Sequence, residues 1–112
     1  MATVKTEKII DRLADGKKRV RVTLSTLALT SGVAEIQLDT LKEVTDFMPY
    51  VISPAGTNDY VYEYKFEKSS TNVKNGIKIT AKTMQVSATN TWGDADDTGV
   101  AAVVIAIDAI GV

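Results

Sequence analysis

The chain has 112 residues, contains no cysteine and no histidine, and carries a formal net charge of −1. This length fits one domain over residues 1–112 with a single core, and the composition excludes disulfides, thiol nucleophiles and the imidazole ligands of most transition-metal sites. The near-neutral charge argues against nucleic acid as a partner, and the lack of a long apolar run argues against a membrane. We also expect no catalytic residue, no cofactor and no metal.

Residues 6–14 carry a pattern that fits two structures. Ile9, Ile10 and Leu13 share one face if the segment is helical, and Gly16 is then available as the C-terminal cap. The same residues fit an irregular strand that pairs with the next strand across a turn at Gly16. Residues 1–14 are therefore either part of the domain or an N-terminal extension or arm.

Alternation of apolar and polar residues predicts half-buried strands along most of the chain. In residues 19–25, Val20, Val22 and Leu24 lie on one face and the polar side chains lie on the other. The same alternation occurs in residues 34–38, 60–67, 77–82 and 84–88. Glycine or proline predicts turns at residues 15–16, 31–32, 53–56, 75–76 and 98–99, and Asn75-Gly76 is the strongest hairpin signal.

Two features modify this pattern in the middle of the chain. Thr40 and Glu43 match a helix-capping box, which predicts at most one helical turn because an extended segment follows at residues 45–53. Pro49 lies inside that segment and cannot donate a ladder hydrogen bond, so we expect it on an edge strand or at a bulge.

Residues 100–107 are apolar at every position, which is typical of a strand that is covered on both faces. One face carries the larger side chains of Val103, Ile105 and Ile107, and we expect it in the core. The smaller face would then lie against a second sheet, a loop or another copy of the protein; its residues are Val100, Ala102, Val104 and Ala106. The whole pattern predicts an all-β fold, an antiparallel β-sandwich or jelly-roll-like barrel of about six to eight short strands with one or two short helical turns at most.

Three clusters of side chains are candidate sites. The acidic residues Asp94, Asp96 and Asp97 lack the spacing of a calcium loop, so a solvated loop is the favoured interpretation. The aromatic side chains of residues 60–66, with Trp92, fit a stacking platform, but the glutamates beside them favour a core face. The basic residues form a solvated turn and strand face, with a protein partner as the exception; they are Lys17, Lys18, Arg19 and Arg21. The candidate interface therefore consists of these basic residues and the smaller face of the last strand.

Short motifs in a fixed order add a resemblance to a known family. The motifs are Gly16-Lys17-Lys18-Arg19-Val20, Leu38-Asp39-Thr40-Leu41, Phe47, Val51-Ile52-Ser53-Pro54-Ala55-Gly56 and Tyr60-Val61-Tyr62-Glu63-Tyr64, followed by an acidic turn and a closing apolar strand. In this order the chain resembles small β-sandwich proteins encoded among the structural genes of tailed bacteriophages, such as head decoration or cement proteins.

The resemblance implies a non-enzymatic virion protein, made in the host cytoplasm, that binds the head shell and forms homo-oligomers. Its partner would be the major capsid protein or another virion protein. The resemblance also favours a strand over a helix at residues 3–14. The alternative function is a soluble carbohydrate-binding or adhesion-type β-sandwich module, which requires Trp92 or two of the tyrosines to be exposed to solvent.

Overall fold

The computed structural model describes residues 3–53, 60–69, 73–85, 92–94 and 104–112. In these ranges the regular structure is β-strand, apart from one 3-10 turn at Ala14–Gly16. The strands are β1 (Val4–Arg12), β2 (Lys18–Thr26), β3 (Val33–Gln37), β4 (Val44–Ser53), β5 (Tyr60–Lys68), β6 (Gly76–Gln85), β7 (Gly93–Asp94) and β8 (Val104–Gly111). They form two antiparallel sheets, which confirms the predicted all-β sandwich. Among the described residues, no helix is long and apolar enough to cross a membrane.

The first sheet has the strand order β1-β2-β8-β4, so β8 is central and β1 and β4 form the edges. The second sheet has the order β3-β6-β5, and the short strand β7 pairs with β6. Pro49 lies in β4, which confirms the prediction of an edge strand. Because β8 is the one partner of β4 among the described strands, the missing N–H of Pro49 interrupts no second ladder there.

One apolar core lies between the two sheets. The predicted inner residues of β2 are fully buried, and the larger face of β8 faces the same core. The largest fully buried side chains are Leu24, Leu27, Leu38, Ile77, Ile79, Ile105, Ile107, Val20 and Val22. Each such side chain contributes roughly 1.5–3 kcal/mol relative to exposure, so this layer is the main stabilising contact of the fold.

The N-terminal segment is a strand and not a helix. Strand β1 pairs with β2 across the 3-10 turn, as the second interpretation of the sequence proposed. Ile9 lies opposite Val20 and Asp11 opposite Arg19, so Ile10 is the extra residue of a β-bulge. The bulge interrupts the alternation at two successive isoleucines, which is why the sequence also fits a helix.

The structure corrects two local predictions. The capping box does not form, because residues 40–43 contain no helical turn and the hydroxyl of Thr40 donates to Glu7 at 2.7 Å. Asn75-Gly76 does lie at the connection between the antiparallel strands β5 and β6, but the turn falls before Gly76, which is already the first residue of β6. A Cβ at Gly76 would lie 2.9 Å from the Cβ of Ser69, so close approach of the chain, and not a positive φ, requires glycine there.

Several predicted features fall wholly or partly outside the described residues. They are the turns at residues 53–56 and 98–99, the alternation in residues 86–88 and the first part of the apolar run at residues 100–103. The described part of the last strand begins at Val104 and continues past the predicted end to Gly111.

Candidate functional site

The outer face of the first sheet brings several predicted interface residues together. Cross-strand register aligns its side chains in rows from β2 through β8 to β4. One row is Arg21, Asp108 and Met48, and the next is Thr23, Ala106 and Tyr50. The face therefore has a charged half on β2 and an apolar half on β4.

The charged half is partly neutralised within the chain. Arg21 contacts Asp108 through two hydrogen bonds, from Nε to Oδ1 at 2.9 Å and from Nη2 to Oδ2 at 3.2 Å. The hydrogen bond from Arg21 lowers the pKa of Asp108, and the same bond raises the pKa of Arg21. Arg19 lies 3.5 Å from the carboxylate of Asp11. Because these groups are well hydrated, the pairs orient the side chains more than they stabilise the fold.

The apolar half consists of Met48, Tyr50 and Ile52, which we call the β4 strip. Their exposed fractions are 69%, 40% and 58%, although all three are large apolar or aromatic side chains. Val104 and Ile110 of the central strand are half-buried on the same face. Contiguous exposed apolar side chains of this kind are typical of an interaction surface.

A cleft of about 320 Å³ lies where the two halves meet. Its walls are formed by Arg19, Asp46, Phe47, Met48, Asp108 and Ile110. The cleft combines one guanidinium and two carboxylates with apolar walls, so it offers both charge-assisted hydrogen bonds and apolar contact. Its volume lies at the lower end of the range of small-ligand sites.

The predicted interface residues are divided between this face and its surroundings. The residues that lie on it are Arg19, Arg21, Val104 and Ala106. Ala106 is only 1% exposed, because it lies between neighbours with longer side chains on β2 and β4. Lys18 points to the other side of β2, where its Nζ donates to the carbonyl of Thr40 at 2.9 Å, and Lys17 is half-buried just before the strand. Val100 and Ala102 lie outside the described residues.

Local sequence patterns do not identify the β4 strip. Residues 47–52 are all apolar or aromatic, so the alternation that identifies faces elsewhere has no contrast here. Only the pairing of β4 with β8 shows which of them face outward.

The aromatic residues of β5 face the core, as the favoured interpretation proposed. Tyr62, Tyr64 and Phe66 pack against the buried cluster, whereas the side chain of Tyr60 is not among those described. Trp92 is 44% exposed. The carbohydrate-binding alternative requires Trp92 or two tyrosines to be exposed to solvent, and Trp92 meets that condition. Asp96 and Asp97 lie outside the described residues, and in the described ranges no three acidic side chains are placed to hold a metal ion.

A second polar cluster ties the edge strand β1 to the loop that follows β3, and we call it the Glu7 clasp. The side chain of Glu7 is only 7% exposed. Its carboxylate accepts hydrogen bonds from the N–H groups of Asp39 and Thr40 at 2.9 and 3.0 Å and lies 2.9 Å from Nζ of Lys5. Desolvation disfavours the charged carboxylate, but the hydrogen bonds from Asp39, Lys5 and Thr40 outweigh it and lower the pKa of Glu7 to about 2.

Comparison of the chain with models of protein families, with curated proteins and with solved structures finds no match. The resemblance to phage virion proteins therefore stays a prediction from the sequence motifs. What the described residues offer is an outer sheet face with an exposed apolar strip, a cleft and flanking charges.

Proposed function

We propose that this chain is a non-enzymatic structural protein of a bacteriophage virion, a capsid decoration or cement component. It is made in the host cytoplasm, binds the head shell through the major capsid protein or another virion protein, and associates with copies of itself. The order of motifs along the sequence supports the class of protein, and the β4 strip is the observation that carries the proposed contact.

The β4 strip supports docking because its exposure is unfavourable in the isolated chain. Apolar surface costs about 25 cal/mol per Å² in contact with water, and a partner that covers Met48 and Ile52 recovers this free energy. The adjacent cleft can accept one protruding side chain, and the carboxylates of Asp46 and Asp108 can orient it. An apolar centre beside charged groups is the arrangement found at protein interfaces.

The test uses phage heads assembled without this protein and measures its co-sedimentation with them. We expect saturable binding by the wild-type chain. The Met48→Ser/Ile52→Ser variant, which lacks two exposed apolar side chains, should bind with an affinity lower by about tenfold or more. Val73→Ser is the matched control, because Val73 is also an exposed apolar residue, at 37%, but lies outside the first sheet. Absence of binding by the wild-type chain, or equal loss in the control, contradicts the proposal.

The exposure of Trp92 supports a second candidate, a carbohydrate-binding or adhesion-type module. An exposed indole can stack on the apolar face of a sugar ring. Trp92 is the only tryptophan of the chain, so its fluorescence reports on this site alone. A saturable fluorescence change on titration with bacterial surface polysaccharide would favour this function, and an unchanged spectrum would count against it.

A further inference from the structure

We propose that β1 is an exchangeable strand, so that β1 of one copy pairs with β2 of a second copy, which gives its own β1 in return. The partner is a second copy of this chain, and the acceptor surface is the edge of β2 together with residues 38–40. The inference goes beyond the proposed shell binding and does not depend on it, because it uses the edge of the first sheet and leaves the β4 strip free.

Strand β1 adds no side chain to the buried core. Each of its nine residues is exposed or half-buried, and the buried cluster contains none of them. Its apolar side chains are open to solvent, with Val4, Ile9 and Ile10 at 51%, 37% and 38%. Detaching β1 therefore breaks ladder and polar contacts but removes no side chain from the packed layer between the sheets.

Charge on balance weakens the attachment of β1 to its own β2, because two of the three charged cross-strand pairs combine like charges and one, Asp11 with Arg19, combines opposite charges. Lys8 lies directly opposite Arg21, and Arg12 lies directly opposite Lys18. Like charges at directly opposed positions of an antiparallel pair are destabilising. The detached state is therefore closer in free energy to the attached state than the nine-residue length of the strand suggests.

Exchange preserves the contacts that hold β1. The strand would meet the same β2 edge in a second copy, and Glu7 would find the same donors on residues 38–40. The Glu7 clasp gives the acceptor surface its specificity. A foreign strand without a carboxylate at this position would leave the N–H groups of Asp39 and Thr40 without their side-chain hydrogen-bond acceptor.

The connection between β1 and β2 provides a reason for exchange. The chain reverses through Asp15 and Gly16, which both have positive φ, of 63° and 74°. A left-handed backbone is less favourable for aspartate than for glycine, and Asp15 adopts it in the closed turn. In the exchanged dimer this segment extends between the copies and the strain is released. Short strained connections of this kind are known to promote exchange of terminal elements.

Two single-cysteine variants test the exchange directly, because the chain has no cysteine of its own. Thr6 and Thr23 lie directly opposite each other, at a separation that a disulfide can span. We mix Thr6→Cys chains with differently tagged Thr23→Cys chains at high concentration, oxidise them, and quantify the mixed disulfide. The matched control mixes Thr6→Cys with Lys42→Cys, an exposed position that is not part of β2 and not opposite β1.

We expect the first mixture to give at least about fivefold more mixed disulfide than the control, because only exchange places the two sulfurs opposite each other. Equal yields in the two mixtures would overturn the proposal. Shell binding is measured on the same samples. If it is retained while the disulfide yields are equal, strand exchange is contradicted but the proposed shell binding is not.

A hinge pair tests the role of strain by size-exclusion chromatography with light scattering. Asp15→Ala makes the left-handed turn less favourable and should raise the dimer-to-monomer ratio about fivefold, whereas Asp15→Gly removes the strain and should lower the ratio. Equal dimer-to-monomer ratios for the two variants, or a higher ratio for Asp15→Gly than for Asp15→Ala, would show that the hinge does not drive exchange and would overturn the proposal.

Discussion

Glu7 accepts two hydrogen bonds from Thr40 through one carboxylate oxygen. The backbone N–H of Thr40 lies 3.0 Å from Oε1 of Glu7, and its hydroxyl lies 2.7 Å from the same atom. The other oxygen, Oε2, accepts from the N–H of Asp39 at 2.9 Å. One residue of an edge strand thereby satisfies the backbone of the loop that leaves the second sheet, and it joins the two sheets where the apolar layer ends.

We expect the Glu7 clasp to make the protein sensitive to acid. The pKa of Glu7 is about 2 in the folded chain, against an ordinary value of 4.5, so its stabilisation is complete above pH 4.5 and is lost as the pH falls towards 2. The full shift corresponds to at most about 3 kcal/mol of unfolding free energy, and solvent screening reduces it. Urea unfolding at a series of pH values measures this loss.

The matched variants for this experiment are Glu7→Gln and Glu63→Gln. Glu7→Gln should be less stable than wild type at neutral pH, and the difference should shrink below pH 4.5. Glu63 is an exposed residue of β5, so its variant should follow the wild type at every pH. A Glu7→Gln deficit that is the same at pH 7 and pH 2 would contradict the assignment.

We also expect Glu7 and Thr40 to be energetically coupled. Thr40→Val removes the hydroxyl that donates to Glu7 at 2.7 Å but keeps the shape of the side chain. In a double-mutant cycle with Glu7→Gln, the coupling free energy should lie between about 0.5 and 3 kcal/mol, as for other residues in direct contact. Chemical denaturation of the four proteins gives this value, and additive effects would show that the hydroxyl contributes nothing to the clasp.

A third prediction concerns the end of the central strand. A Cβ at Gly111 would lie 1.9 Å from the carbonyl oxygen of Glu43, which is backbone and cannot rotate away. Gly111→Ala should therefore force the chain apart where Val112 and Glu43 exchange hydrogen bonds, at a cost of about 1–3 kcal/mol or more. Gly93→Ala is the control, because a Cβ there meets nothing within 4 Å. Thermal melts of both variants should separate by at least about 4 °C.

Much of the fold could be predicted from the sequence, because alternation reports directly on faces. Strand β2 has one apolar and one polar face, and its Val20, Val22 and Leu24 are buried as predicted. The alternation fails where tertiary contacts replace it. In β1 the bulge at Ile10 shifts the faces, and the inward residue Glu7 is charged because its partners lie on a loop far away in the sequence.

The candidate surface was less predictable for a related reason. The charged half follows from the arginines of β2, but the pairing of Arg21 with Asp108 depends on the adjacency of β2 and β8, which are separated by most of the chain. The β4 strip depends on the orientation of a segment that is apolar on both faces. Strand order and register carry this information, and local patterns do not contain it.

The last prediction separates the two faces of β8 with neighbouring substitutions. Ile105 is fully buried in the core, whereas Val104 is half-buried on the outer face, opposite Ser53 at the end of β4. Ile105→Asp places an unpaired carboxylate between the sheets, where its burial costs several kcal/mol, and should give an unfolded or insoluble chain. Val104→Asp can direct its carboxylate into solvent, so it should fold with a melting temperature near that of the wild type but bind phage heads more weakly. Circular dichroism melts and head co-sedimentation measure the two effects. If Val104→Asp binds heads as the wild type does, this end of the outer face takes no part in docking, and the contact must lie nearer to Met48 and the cleft.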